Sequence, residues 1–189
     1  MTFRPDFAYA AASLLCAMIG AFYDVKSRRV PNLLTVPAFV LGLTLHAGLD
    51  GWRGLGSAAA AGLIAGAVFL IFYLAGGMGA GDVKLIAAVA ALAGMPRITS
   101  LLLLTALAGG ILAVLLAVSR GRLKATLINV GALLVHHGTS GLRPHPDLNL
   151  LNSATLRLPY AVAIAGGSAL TLALTVHGRA LESLMAVAK

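Results

Sequence analysis

Five apolar runs, each close to the length of a membrane-spanning helix, constrain this chain more than any other feature. They cover residues 7–23, 33–49, 54–75, 98–119 and 158–178, and about 20 apolar residues are needed to cross the ~30 Å hydrocarbon core of a bilayer. A sixth run, residues 83–95, is shorter and ends before Pro96. With 59% hydrophobic and 11% charged residues, the chain is too apolar for a soluble domain of 189 residues. The pattern predicts an all-α, polytopic transmembrane helical bundle of about six spans.

Basic residues give the chain a formal net charge of +8, but they lie between the apolar runs, where they bias membrane orientation. We therefore expect contacts with membrane lipids and no nucleic-acid partner. With the N-terminus outside, six spans leave nine basic residues in the inner segments: Lys26, Arg28, Arg29, Lys84, Arg120, Arg122, Lys124, Arg143 and Arg157. The outer segments hold five: Arg4, Arg53, Arg97, Arg179 and Lys189. The dense basic group follows the first run instead of preceding it as in a secretory signal, which predicts a retained first helix and cytoplasmic inner segments.

Two short polar segments interrupt the apolar sequence at residues 24–32 and 79–84, and each carries an aspartate, Asp24 and Asp82. Two predicted spans lie between the aspartates, so both carboxylates return to the same membrane face. Two nearby carboxylates that share one proton can hydrolyse an amide, because the ionised one deprotonates water while the protonated one acts as an acid. The residues by themselves also permit simpler roles: Asp82 as the N-cap of a helix beginning near Val83, and Asp24 as an interfacial charge.

The polar region from residue 120 to residue 157 contains one short apolar piece, residues 127–135. It is too short to span, and it is predicted to lie in the interface as an amphipathic helix or to dip into the membrane as a re-entrant segment. We interpret His136, His137 and His145, which follow in a Gly/Pro-rich stretch, as solvated loop histidines. Because Cys16 is the single cysteine, the chain can form neither an internal disulfide nor a zinc-binding cysteine cluster, and we expect no metal site.

The two polar segments together resemble those of the type IV prepilin peptidases, which are GxGD-type aspartic endopeptidases. The first segment has Lys26, Arg28 and Pro31-Asn32 in place, and residues 79–84 read Gly-Ala-Gly-Asp-Val-Lys. A third match, residues 158–165, resembles the family's last span, with Ala161 in place of the usual glycine. The resemblance implies a GxGD-type membrane aspartyl protease architecture with Asp24 and Asp82 as the catalytic pair. The supporting motif residues would be Lys26, Arg28, Pro31, Asn32, Gly79, Gly81, Lys84, Pro159 and Tyr160.

The resemblance also implies a substrate and a cellular setting. Members of the family cut prepilins or pseudopilins between a short basic leader and the hydrophobic helix that follows. We therefore expect a multi-pass protein of the bacterial inner membrane, with both aspartates toward the cytoplasm. Larger members carry an additional cytoplasmic domain with paired cysteines and also N-methylate the product. Residues 1–189 resemble instead the short branch found with Flp-type, tight-adherence pili. This branch implies a single transmembrane peptidase domain with no soluble zinc-binding or methyltransferase domain and no cofactor.

Other interpretations of the same residues compete with this one. Tyr23-Asp24 followed by Gly-Ala-Gly-Asp faintly resembles presenilin and signal peptide peptidase, but the two intervening spans and the basic Pro-Asn segment argue against that relationship. A small proton- or ion-coupled transporter would use Asp24 and Asp82 as ion sites, although the non-terminal spans contain few ionisable residues apart from His46. A non-catalytic pilus assembly scaffold would need only the helices. The particular prepilin and the oligomeric state are not determined by the sequence.

Small-residue faces add a further open question about how the spans pack. They occur at residues 58–62, at Gly66, and at residues 109–110 and 166–167. Such faces let helix backbones approach closely in a membrane. They are predicted either to admit a substrate helix between the spans or to pack the chain's own helices against one another.

Overall fold

The computed structural model describes residues 5–141, 143–145, 148 and 158–187, with side chains described as far as residue 178. In that part of the chain all regular secondary structure is helical, which confirms the predicted all-α fold. The helices are α1 (Asp6–Ser27), α2 (Asn32–Leu74), α3 (Ala80–Ala93), α4 (Met95–Ser119), α5 (Leu123–Ser140) and α6 (Tyr160–Val187). The basic residues Arg4, Arg157 and Lys189 and the side chain of Arg179, which entered the charge comparison, lie outside the described part.

The five long apolar runs fall in helices that are long and apolar enough to cross a membrane. Among the described residues there are four such helices: α1, α2, α4 and the part Tyr160–Gly178 of α6. Helix α2 contains two of the runs because it bends at Gly51, whose φ of 65° and ψ of −152° are not helical. Its arms, residues 32–50 and 52–74, fold back on each other, since a Cβ atom at Gly62 would lie 2.5 Å from the Phe39 ring. The helices therefore form a bundle of the kind that spans membranes.

Helix α3 is the short helix at the centre of this bundle. Its 14 residues would extend about 21 Å, and it is not among the four candidate spans. It packs against both arms of α2 and also contacts α1, α4 and α6. Gly42 allows a close approach of α2 to α3, because a Cβ atom there would lie 2.8 Å from the backbone of Ala91. Eight of the α3 residues are buried, so the sixth apolar run forms a core helix.

The small-residue faces pack the chain's own helices against one another. A Cβ atom added at four of these glycines would lie closest to another helix of the bundle: Ala87 for Gly66, Ala163 for Gly109, Ala108 for Gly166 and Thr105 for Gly167. A Cβ atom at Gly110 would meet nothing within 4 Å. These contacts therefore support the second of the two predicted roles, packing of the chain's own helices against one another.

Helix α5 lies at the edge of the bundle. Among the described helices it contacts α4 alone, and none of its residues is buried. It extends the apolar piece at residues 127–135 to an 18-residue helix that lies outside the four candidate spans. The prediction that His136 and His137 lie in a loop is wrong, because the helix continues past them and ends only at Gly141, where φ is 66°. Whether α5 lies in the interface or re-enters the membrane stays a prediction.

A polar cluster ties three helices together at the end of the bundle away from the two polar motifs. The Tyr9 hydroxyl of α1 donates a hydrogen bond to Asp50 of α2 at 2.7 Å, and the Tyr9 ring stacks on His46 with 3.7 Å between ring centroids. Arg97, in the first turn of α4, is buried and forms an ion pair with Asp6 of α1. The cluster therefore joins the start of α1, the bend of α2 and the start of α4.

Candidate active site

Asp82 lies in the first turn of α3, after the glycine-rich turn. The helix begins at Ala80 with Gly79 as its N-cap, so the prediction of Asp82 as the N-cap residue is wrong. Asp82 occupies the third helical position instead, and its Oδ2 accepts a hydrogen bond from the Gly79 N–H at 3.2 Å. This reach back to the N-cap amide is the acidic half of a capping box. It holds the carboxyl group in place at the helix N-terminus.

Asp24 lies one turn before the end of α1, and its surroundings come from two helices. Arg28 ends α1 in the left-handed conformation (φ 53°) and donates its backbone N–H to the Asp24 carbonyl oxygen at 2.7 Å. The Asp24 carboxylate is close to the charge of Arg28 and to the backbone amide of Ala161, in the first turn of α6. Ala161 is fully buried. The start of α6 thus contributes to the surroundings of Asp24.

The two aspartates line one pocket, which has a volume of about 520 Å³. Its walls come from the end of α1, the start of α3, the end of α4 and the start of α6. The lining residues are Asp24, Val25, Arg28, Gly79, Asp82, Leu112, Leu116, Arg120, Leu158, Pro159 and Tyr160. Asp24 and Asp82 are also close enough for their charges to interact. The fold therefore brings the two predicted carboxylates into a shared cavity.

The environment of Asp82 makes it a weaker acid than an ordinary aspartate. Asp82 lies outside the four candidate spans. Burial, which disfavours the charged form, raises the pKa of Asp82 to about 6, the negative charge of Asp24 acts in the same direction, and the hydrogen bond from Gly79 opposes both. Asp82 can therefore keep a proton at a pH where most aspartates are ionised. The pocket can offer one proton donor and one proton acceptor to a bound peptide.

The other predicted motif residues divide into two groups. Four line the pocket with the aspartates: Arg28, Gly79, Pro159 and Tyr160. Five lie outside its lining: Lys26, Pro31, Asn32, Gly81 and Lys84. Within this second group, Lys84 Nζ donates a hydrogen bond to Asn32 Oδ1 at 3.0 Å, and Pro31 is the N-cap of α2. The Lys84–Asn32 bond ties the two polar segments together next to the pocket.

The sequence did not single out the α4 wall of the pocket. Leu112, Leu116 and Arg120 are spaced by four residues, so they share one face of the helix. An almost wholly apolar helix gives no sign of which face meets a cavity, because lipid and protein interior select the same residue types.

Within the described part of the chain, no group of three or more His, Cys, Asp or Glu side chains is arranged to hold a metal ion. The expectation of a metal-free site stays a prediction.

Comparison with known proteins gave one family. The model of the type IV leader peptidase family matches residues 11–114, which is more than half of the chain. The matched region includes Asp24, the whole of α2 and α3, Asp82, and α4 as far as residue 114. Searches of curated proteins and of solved structures gave no match.

Proposed function

The chain belongs to the type IV leader peptidase family, whose members act on prepilins, and we propose that it is an aspartic endopeptidase with Asp24 and Asp82 as its catalytic pair. The observation that carries the proposal is that these two carboxyl groups, from separate helices, line one pocket. The cut removes the short basic leader of a Flp-like prepilin. It occurs at the cytoplasmic face of the bacterial inner membrane.

In the proposed mechanism, Asp82 holds the shared proton and Asp24 is ionised. The raised pKa of Asp82 supports this assignment. The Asp24 carboxylate takes a proton from water as the water oxygen attacks the scissile carbonyl carbon, and protonated Asp82 donates its proton to the carbonyl oxygen. When the C–N bond breaks, the leaving amine takes the proton held by Asp24, and Asp82 regains a proton from the collapsing intermediate. The pair then again holds one proton, so it is ready for another cycle.

Two further observations support the cytoplasmic placement. The pocket lies between helix ends that are flanked by basic residues, among them Lys26, Arg28, Lys84 and Arg120. At the other end of the bundle, the bend of α2 and the start of α4 carry Arg53 and Arg97. Lys and Arg are enriched in cytoplasmic segments of membrane proteins. The basic leader of a prepilin would be in the same compartment as the pocket.

The test is cleavage of a co-expressed Flp-type prepilin, read by gel mobility and by the mass of the new N-terminus. Wild type is compared with Asp24→Asn, with Asp82→Asn and with the double variant. Each asparagine keeps the shape of the side chain but can neither take a proton from water nor supply one as an acid. We expect each single variant to lose cleavage as completely as the double variant, because both carboxyl groups act in one step.

Asp50→Asn is the matched control, since Asp50 belongs to the polar cluster and not to the pocket. Its amide oxygen can still accept the Tyr9 hydrogen bond, so cleavage should be retained. Cleavage that persists in Asp24→Asn or Asp82→Asn, at normal membrane levels, would remove that residue from the chemistry. A wild type that leaves the prepilin uncut would contradict the proposed substrate and favour a scaffold or transport role.

A further inference from the structure

The α4 wall gives the pocket an apolar side that the two-carboxylate mechanism does not use. Leu112 and Leu116 line the pocket and are half-buried, whereas their neighbours Val114 and Leu115 are 54% and 60% exposed and do not line it. Helix α4 ends at Ser119, so Leu116 and Leu112 lie about one and two helical turns inside that end. An apolar surface thus leads from the aspartates into the bundle.

This apolar wall faces α1 across a gap. Helices α1 and α4 both pack on α6, but within the described part of the chain their backbones do not come close to each other. Their described side-chain contacts, the Asp6–Arg97 ion pair and Arg97 over the Tyr9 ring, lie at the end of the bundle away from the pocket. Both helices nevertheless line the pocket, α1 through Asp24, Val25 and Arg28. Pro159 and Tyr160, at the start of α6, also line the pocket. The aspartates therefore open onto a cleft between two candidate spans, which we call the α1–α4 cleft.

We propose that the α1–α4 cleft receives the apolar helix of the prepilin, and that Leu112 and Leu116 contact its first turns and so position the scissile bond. The proposal rests on the proposed function, because it assigns the recognition of that same substrate. Asp24 lies one turn inside the end of α1, and Arg28 and Arg120 lie at the pocket end of the two helices. A peptide bond held at the aspartates then has its leader directed out of the bundle, past the ends of α1 and α4, and its apolar helix on the leucine side.

The physical reason for this assignment is packing. Lipid tails are as apolar as leucine, so in a membrane two helices associate through close van der Waals contact. Leu112 and Leu116 present two side chains at i and i+4, the spacing at which one helix face meets another. The α1–α4 cleft is also continuous with the proposed catalytic pair. A substrate helix whose first turns enter this cleft has its N-terminal end at Asp24 and Asp82.

The first test is the kinetics of prepilin cleavage by the Leu112→Ala, Leu116→Ala double variant. We expect kcat/KM to fall about tenfold, mainly through a higher KM, since shortening an apolar contact typically costs a factor of this order. Leu115→Ala is the control, because it removes one leucine side chain from a part of α4 that does not line the pocket, and its kcat/KM should stay within about twofold of wild type. A double variant that cleaves as well as Leu115→Ala would overturn the inference.

The second test detects the contact directly and does not depend on turnover. Cys16, the single cysteine, is replaced by alanine, and Asp82→Asn prevents cleavage. A cysteine introduced by Leu116→Cys is then oxidised with copper phenanthroline in the presence of a prepilin that carries one cysteine in the first turn after its cleavage point. We expect a disulfide-linked adduct with Leu116→Cys and little or none with Leu115→Cys.

The outcomes separate the two proposals. If wild type cleaves the prepilin and the aspartate variants do not, but Leu116→Cys gives no more adduct than Leu115→Cys, the cleft assignment fails and the proposed function stands. If wild type leaves the prepilin uncut and no adduct forms, both fail. An adduct that is specific for Leu116→Cys supports the cleft even where the double alanine variant folds poorly.

Discussion

At the scale of single residues, Asp82 sets how the proposed enzyme should respond to pH. Its pKa is raised to about 6, chiefly by burial, and the mechanism needs its proton. As pH rises through the folded-state value this proton is lost, so kcat/KM should fall about tenfold for each further pH unit above about 6. The measurement is kcat/KM for prepilin cleavage between pH 5 and pH 9, and the apparent value belongs to the pair of carboxyls.

The pH profile needs a control for unfolding of the enzyme. Size-exclusion chromatography at each pH shows whether the enzyme stays folded, so a loss of activity through unfolding is recognised. A kcat/KM that stays flat from pH 5.5 to pH 9 in a folded enzyme would contradict the assignment of Asp82 as the proton carrier. It would leave the pairing of the two aspartates in the pocket untouched.

The raised pKa of Asp82 should also make the stability of the folded protein depend on pH. Between about pH 4, where an unfolded aspartate ionises, and about pH 6, where the folded group does, the folded state holds a proton that the unfolded state has released. Stability therefore falls as pH rises through this window, and the loss is complete above it. Asp82→Asn removes the ionisation and should melt at a higher temperature than wild type at pH 7.5. Near pH 4 the difference should vanish, which makes the low-pH melting curve the control.

At the scale of helices, the bend of α2 depends on one glycine. Gly51 has φ 65° and ψ −152°, a combination that side-chain-bearing residues adopt only at a cost of about 1–3 kcal/mol. Gly51→Ala should lower the melting temperature of the solubilised protein accordingly. Gly56→Ala is the control, because a Cβ atom meets nothing within 4 Å at either position. Gly56 has helical geometry, so alanine there should be neutral or stabilise by about 0.5–1 kcal/mol. Equal changes in melting temperature for the two substitutions would mean that a side chain at residue 51 does not strain the bend.

The helices also show what the sequence could predict and what it could not. The five long runs fall in apolar helices of the expected kind because hydrophobic length is a strong local signal. The bend at Gly51 that merges two runs into α2 was not predicted. The burial of α3 depends on neighbours such as Gly42, which lie far away in sequence. No local pattern reports such contacts, so the sequence did not predict that this 14-residue helix lies at the centre of the bundle. That it is a short span stays a prediction.

The candidate site, like the helices, could be predicted from the sequence only in part. The two spans between Asp24 and Asp82 predicted that both lie at the same end of the bundle, a topological argument that needs no distances, whereas their role as a catalytic pair came from the family resemblance and stays a prediction. The role of Asp82 within its helix was predicted wrongly, since the turn before it ends three residues earlier than expected. Leu112 and Leu116 were missed because their chemistry is that of every other leucine in the span. Only the packing of α1, α4 and α6 distinguishes them.

At the scale of the whole molecule, the two ends of the bundle differ in charge. The segments around the pocket hold Lys26, Arg28, Arg29, Lys84, Arg120, Arg122 and Lys124, whereas the described part of the other end, between residues 50 and 54 and between 93 and 98, holds Arg53 and Arg97. Basic residues remain on the cytoplasmic side during insertion. The polar cluster around Tyr9, His46 and Asp50 should then lie at the outer face.

Cysteine labelling tests this orientation. In a Cys16→Ala background, Trp52→Cys places a thiol beside the bend of α2, where Trp52 is 86% exposed, and Ser27→Cys places one at the exposed end of α1 near the pocket. A membrane-impermeant maleimide added to intact spheroplasts should label Trp52→Cys and should label Ser27→Cys only after the membrane is disrupted. The reverse pattern would place the pocket outside the cell, where a peptidase could not meet the leader of a prepilin before its export. Because each thiol serves as the permeability control for the other, either result fixes the side on which Asp24 and Asp82 act.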